Sequence, residues 1–133
     1  MKMEIKQGLK GESMIIVKDG NTAIDFGSGN VPVLATPILI ALMEGAAINA
    51  VERFLPDGQT TVGTLIECRH LAATPKGMTV TAKAELVEFD KRRLLFKVEA
   101  YDEKEKVGEG KHERFIIDLN KFLERCRDKQ GNK

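Results

Sequence analysis

Hydrophobic and polar positions change their period twice along the chain. From Glu12 to Val17 the run ESMIIV is short and partly β-branched, and the turn-rich KDGNT follows it, so a first strand is expected there. FGSGN, from Phe26 to Asn30, reads as loop. Beyond it the pattern is neither alternating nor one-sided: Ile38, Leu39, Ile40, Leu42, Met43, Ile48 and Val51 would surround nearly the whole circumference of a helix. Ala41, Gly45, Ala46, Ala47 and Ala50 lie between them and would let neighbouring elements approach closely. Thr36 is a favoured N-cap and Pro37 suits a first helical turn, whereas Pro56, Asp57 and Gly58 break a helix, which bounds it near Thr36 and Leu55.

The remainder alternates. In TVGTLIECRHLA, an unbulged strand puts Val62, Thr64, Ile66, Cys68, His70 and Ala72 on one face and Gly63, Leu65, Glu67, Arg69 and Leu71 on the other. A strand from Met78 to Leu86 loses its phase at Val87, as a bulge would cause. Further strands are expected at Leu94–Tyr101 and Val107–Asp118, then a short polar amphipathic helix from about Asn120 and a charged tail. Strand, long apolar helix, then four strands on short turns predict an α+β domain spanning 1–133, a curved antiparallel sheet wrapped around one helix. One helix cannot cover such a sheet entirely, so a homodimer is expected.

Composition narrows the function classes. At 133 residues the chain has one core's worth of apolar surface. Its 21 basic and 20 acidic residues leave +1, without the basic excess of a phosphate-neutralising nucleic-acid binder. Cys68 and Cys126, far apart and outside any CxxC, suggest a reducing cytoplasm. The charged start, MKMEIKQGLKGES, lacks the apolar stretch of an export signal. Val31–Val51 approaches the length of a spanning helix, but Pro32, Pro37 and Glu44 argue for a buried helix and no membrane partner.

Glu44 is a lone carboxylate in a helix of Ile, Leu, Met, Ala and Gly, where ionisation is unfavourable unless it is paired. It is either a general base or nucleophile, or a Glu that emerges at a surface or interface or accepts backbone hydrogen bonds. His70, on the face of Ile66 and Cys68, is a core histidine if it stands alone and an acid–base candidate if it acts with Glu44. Thr36 reads first as the N-cap. Eight positions separate it from Glu44, about 12 Å along a helix, so a substrate or a second subunit must bridge them. Gly63 inside a strand marks either a bulge or a close approach of ligand or backbone. Cys68 is expected to be a buried free thiol, His112 to line a solvated or interface strand, and no ligand spacing suggests a metal.

The segments VLATPILIALMEGAAINAV, VGTLIECRHLAATPKG and EGKHERFIID, in that order, resemble the hot-dog fold thioesterases, and within them the fluoroacetyl-CoA thioesterase-like group. The resemblance runs from about Glu12 to Asp118. It implies a hot-dog homodimer with active sites at the subunit interface, an acyl-CoA substrate and no cofactor beyond the coenzyme A of that substrate. It implies catalytic positions at Thr36, Glu44 and His70, a glycine near the thioester at Gly63 and a site arginine at Arg114. Lys76 or Arg69 is expected to reach the nucleotide phosphates, and Ile38, Leu39 and Met43 to line the acyl pocket. The fluoroacetyl-specific enzymes carry aromatic lid residues ahead of the helix; Gly27-Ser28-Gly29-Asn30 has none, and Phe26 is the nearest aromatic. The expected substrate is therefore a more general short or medium acyl-CoA. A non-catalytic acyl-CoA or fatty-ligand binding dimer is the alternative, and an acyl-thioester dehydratase or hydratase ranks below it.

Overall fold

The computed structural model describes residues 4–131. Strand β1 (Lys10–Ile16) leads through a short helix α1 (Ala23–Phe26) to the long helix α2 (Thr36–Val51). Strands β2 (Gln59–His70), β3 (Thr79–Asp90), β4 (Arg93–Tyr101) and β5 (Lys106–Asp118) follow, then helix α3 (Leu119–Lys129). The strands form one antiparallel sheet in the order β1-β3-β4-β5-β2, curled around α2. The expectations for Met1–Met3 at the charged start and for Asn132 and Lys133 at the end of the tail lie outside the described residues.

The core is the space between α2 and the concave face of the sheet. Leu39, Leu42, Met43, Ala46, Ala47, Ala50 and Val51 are buried from the helix, facing Val80, Ala82, Ala84 and Leu86 of β3 and Leu94, Phe96, Val98 and Ala100 of β4. The small helical residues do what their size suggests. A Cβ on Gly11 of β1 would collide with the Ala46 carbonyl oxygen and the Ala50 amide, so that strand lies directly against the helix backbone. Burial of α2 is nevertheless not all round: Ala41 and Asn49 are exposed, and Ile40, Glu44, Gly45 and Ile48 are half-buried. Within one chain, the apolar circumference thus covers more than the sheet can bury.

Several local expectations are corrected. Ala35, not Thr36, is the N-cap of α2, with no side-chain cap bond. The helix ends at Val51 and continues as a 3-10 turn, Glu52–Phe54, before the breaker cluster. The region ahead of the expected loop folds as the single turn of α1, capped by the Thr22 hydroxyl, which accepts from the Asp25 amide at 3.3 Å, and closed by left-handed Gly27. A four-residue helix is too short to show a period.

The most consequential difference is in β2. Its register with β5 runs Gly63↔Arg114 and then Leu65↔Glu113, leaving Thr64 as an extra residue. A bulge reverses the alternation. Thr61 and Gly63 therefore face the helix before it, and Ile66, Cys68 and His70 after it, so Val62 and Thr64 do not share the inner face with His70. The phase break expected near Val87 is present, as a register shift between Leu86 and Glu88.

Candidate active site

Two clusters of polar residues flank α2. The first lies at its N-terminus. The Leu34 amide donates to the Thr74 carbonyl (2.8 Å) and the Ala35 amide to the Asn21 carbonyl (2.9 Å), which ties the chain entering α2 to the loop leaving β2 and to the segment between β1 and α1. Thr74, fully buried, donates its hydroxyl proton to Asp102 Oδ2 at 3.0 Å and pins that loop. With both segments fixed and the cap supplied by Ala35, the Thr36 hydroxyl is free for another partner. It shares a 2.7 Å hydrogen bond with His70 Nδ1, at the last residue of β2.

The other ring nitrogen, His70 Nε2, is buried and has no partner among the described residues. Leaving such an atom unpaired is unfavourable by about 1–3 kcal/mol, and it marks a place for a group the chain does not supply. Burial also pushes the His70 pKa below its ordinary value, so the ring is neutral at pH 7. Beside it opens a cavity of about 380 Å³, walled by Val31, Val33, Leu34 and Leu71 together with Thr36 and His70. That volume lies within the ordinary range for small-molecule sites. Ile38, Leu39 and Met43, expected in the acyl pocket, do not line this cavity; Leu39 and Met43 are fully buried against Gly108.

The second cluster lies two turns further along α2. There the bulge in β2 turns Gly63 toward the helix. A Cβ at that glycine would stand 3.2 Å from Glu44 Oε2, 3.2 Å from His112 Cε1 and 3.3 Å from Arg114 Nη1, so three polar groups converge on one bare α-carbon. Glu44 makes no hydrogen bond or ion pair among the described residues. Arg114 is buried and fully engaged on its outer edge: Nε donates to Thr61 Oγ1 (2.8 Å), Nη2 to the Thr61 carbonyl (3.0 Å) and Nη1 to His112 Nε2 (3.1 Å). Burial lowers the guanidinium pKa from its ordinary value, while Glu44 and Glu52 pull it back up.

Within the chain the residues expected from sequence thus fall into two groups, Thr36 with His70, and Glu44 with Gly63 and Arg114. No hydrogen bond links Glu44 to Thr36 or His70. His112 corrects the expectation of a solvated or interface position: its side chain is fully buried within one chain. Its signal was the alternation of GKHERF, which puts His112, Arg114 and Ile116 on one face; the adjacent Lys111 and Glu113 belong to the other. Lys76 follows the Val33–Pro75 bridge but does not line the cavity, and its ammonium lies 2.9 Å from Asp19 Oδ1 in an exposed pair. Arg69 instead lines a groove with Lys97, Glu99 and Glu109, all projecting from the convex side of the sheet. The Cys68 thiol is half-buried and pushed up in pKa by burial, which leaves it a weak nucleophile. Among the described residues no group of three or more His, Cys, Asp or Glu gathers as a metal site, and no helix is long and apolar enough to cross a membrane.

A curled antiparallel sheet enclosing one central helix is the hot-dog fold. A hot-dog-like protein from Thermanaerovibrio acidaminovorans shares it at 20% identity, with a TM-score of 0.85 over 94% of this chain and 93% of that one. A thioesterase superfamily member from Thermus thermophilus is 27% identical, with a TM-score of 0.86 over 97% of this chain and 98% of that one. The structure of the fluoroacetyl-CoA thioesterase FlK superposes with a TM-score of 0.90 at 34% identity, covering 96% of this chain and 98% of that one. A fluoroacetyl-CoA thioesterase of Streptantibioticus cattleyicolor is 43% identical over 97 residues, 73% of this chain and 70% of the relative. The model of the fluoroacetyl-CoA-specific thioesterase family matches residues 17–120. The chain belongs to that family, a family of acyl-CoA thioester hydrolases.

Proposed function

We propose that this protein hydrolyses a short or medium acyl-CoA to the free acid and coenzyme A, as a homodimer whose site joins the two clusters across the subunit interface. The observation that carries the reading is the 2.7 Å Thr36–His70 bond, with His70 Nε2 left buried and unpaired at an apolar cavity. A histidine held at one nitrogen by a hydroxyl is oriented for proton transfer at the other. It lacks only a carboxylate, and the half-open stripe of α2 around Ile40, Ala41 and Ile48 presents Glu44 toward the surface a second copy would cover.

In this reading Glu44 initiates attack on the thioester carbonyl, directly or through a water molecule. Thr36 orients His70, which carries a proton to the departing thiolate. The C–S bond breaks, one water is consumed, and its oxygen ends in the carboxylic acid. Gly63 leaves room for the reacting carbonyl beside Glu44, and the Arg114 charge offsets the negative charge that develops there. Lys76, exposed one residue beyond the Val33–Pro75 bridge, is the cation this reading assigns to the CoA phosphates. No cofactor is needed for this chemistry. The non-aromatic segment from Gly27 to Asn30 supports acyl groups beyond fluoroacetyl. The free thiols of Cys68 and Cys126 support a cytoplasmic setting.

Thiol release from a series of acyl-CoA esters, fluoroacetyl-CoA included, tests this. Glu44→Gln and His70→Ala should each reduce turnover by about 100-fold or more. Wild-type rates in both variants would leave only acyl-CoA binding. An acyl group trapped on Glu44 and seen by mass spectrometry would assign it as the nucleophile, whereas solvent oxygen appearing in the product without labelling of Glu44 would assign it as a base.

A further inference from the structure

Arg114 is a buried cation without an ion pair within 4.0 Å among the described residues, held instead by neutral groups. Desolvating a charge in that way disfavours folding unless its N–H groups are well satisfied. The arrangement that holds it is specific in its protons. The Leu65 carbonyl oxygen, beside the Thr64 bulge, lies 2.8 Å from His112 Nδ1 and can only accept. Arg114 Nη1, 3.1 Å from His112 Nε2, can only donate. His112 must therefore carry its proton on Nδ1 and present a lone pair at Nε2. An imidazolium would set two N–H groups and two like charges against each other.

We propose that His112 is a positioning residue for catalysis: its neutral Nδ1–H form, with Thr61 on the opposite edge, locks the Arg114 guanidinium toward Gly63 and Glu44. Three of the five guanidinium N–H groups are consumed by these bonds, and the two that remain serve the side where the thioester reacts. The proposal rests on the thioesterase reading for the role of Arg114, and on the geometry alone for the proton arrangement. The charged groups that act on His112 are Arg114 on its own strand and Glu44 on α2; the Phe96 ring, 6.3 Å away on β4, closes the apolar side. Burial lowers the His112 pKa, the Leu65 bond raises it, and Arg114 lowers it further against an opposing pull from Glu44, so the neutral form prevails at pH 7.

Nitrogen-15 NMR of the histidine rings in the wild-type protein, titrated from about pH 8 to pH 5, should show His112 with Nδ1 protonated and Nε2 bare, titrating below the ordinary histidine range. An Nε2–H ring, or ordinary titration, overturns the proposal. In thiol-release assays His112→Phe should lower kcat about 100-fold with KM little changed, because a displaced charge is felt at the reacting carbonyl. His112→Gln, whose amide oxygen accepts from Arg114, should recover about tenfold of that loss. Arg114→Met should cost as much as His112→Phe, and the double variant no more than either. Additive losses overturn the proposal. If His112→Phe does not fold, the Gln variant and the ring spectra decide it. If wild-type protein releases thiol from no acyl-CoA, it is the thioesterase reading that fails, and the ring spectra alone judge the His112–Arg114 lock.

Discussion

A single missing side chain shapes the proposed reacting centre. At Gly63 an added methyl group would sit 3.2–3.3 Å from Glu44, His112 and Arg114, tighter than ordinary van der Waals contact, so these side chains would have to give by a few tenths of an ångström. Gly63→Ala should therefore fold normally while kcat/KM falls about tenfold or more, as displaced groups lose their aim; a melting curve beside an acyl-CoA assay separates the two effects. The histidines give a second residue-scale expectation. His70 and His112 both have pKa values lowered from 6.5 in the folded chain, chiefly by burial. Between the folded values and 6.5 the unfolded state binds more protons, so stability must fall as pH drops through that window and level off above it. Urea midpoints should decrease from pH 8 to pH 5.5. A midpoint unchanged over that range would mean that both rings titrate as if free.

At the scale of elements, the bulge in β2 sets which side chains face α2, and the contact between β1 and α2 seats the helix on the sheet. Because strand side chains alternate strictly, one extra residue decides which faces the two halves of β2 present. Deleting Thr64 would restore a regular ladder and turn either Gly63 or His70 away from α2. The expected result is loss of thioesterase activity with β-sheet circular dichroism retained. At the other edge of the sheet, Gly11→Ala would drive a methyl group into the Ala46 carbonyl and the Ala50 amide. Backbone cannot yield as a side-chain end does, so this change should destabilise by about 1–3 kcal/mol, read from denaturant unfolding. These elements were legible to different degrees. The α2 pattern and the sheet strands could be read along the chain, since each repeats over many residues, and the phase break near Val87 stood out against that repeat. Gly63 marked a bulge as one of two readings, but that Thr64 is the extra residue could not be read, nor could the one-turn helix α1, because a four-residue helix leaves no period to detect.

For the whole molecule the question is which subunit supplies which residue. Thr36 and His70 meet within one chain, whereas Glu44 lies about 12 Å from Thr36 along α2. If the proposed dimer completes each site with Glu44 of one copy and His70 of the other, co-refolding equal amounts of Glu44→Gln and His70→Ala protein creates one intact site per heterodimer. Random pairing should then restore about a quarter of wild-type turnover from two inactive parents. If all three residues come from one subunit, or if the protein acts as a monomer, no activity returns. The measurement thus tests dimerisation and site composition together.

The sequence alone determined the α+β order of elements, the apolar helix with its lone carboxylate, and the resemblance that singled out Thr36, Glu44, Gly63, His70 and Arg114. All of these follow from local periodicity or from residue order. Tertiary structure decided what those residues do to one another. It took Thr36 from the helix cap and gave it to His70, and it moved Gly63 onto the inner face through the Thr64 bulge. It also buried His112, whose charged neighbours in sequence had suggested solvent. The physical reason is the same in each case. A hydroxyl, a glycine or an imidazole carries no preference for one partner, and the partner is chosen only when strands distant in sequence come within hydrogen-bonding distance.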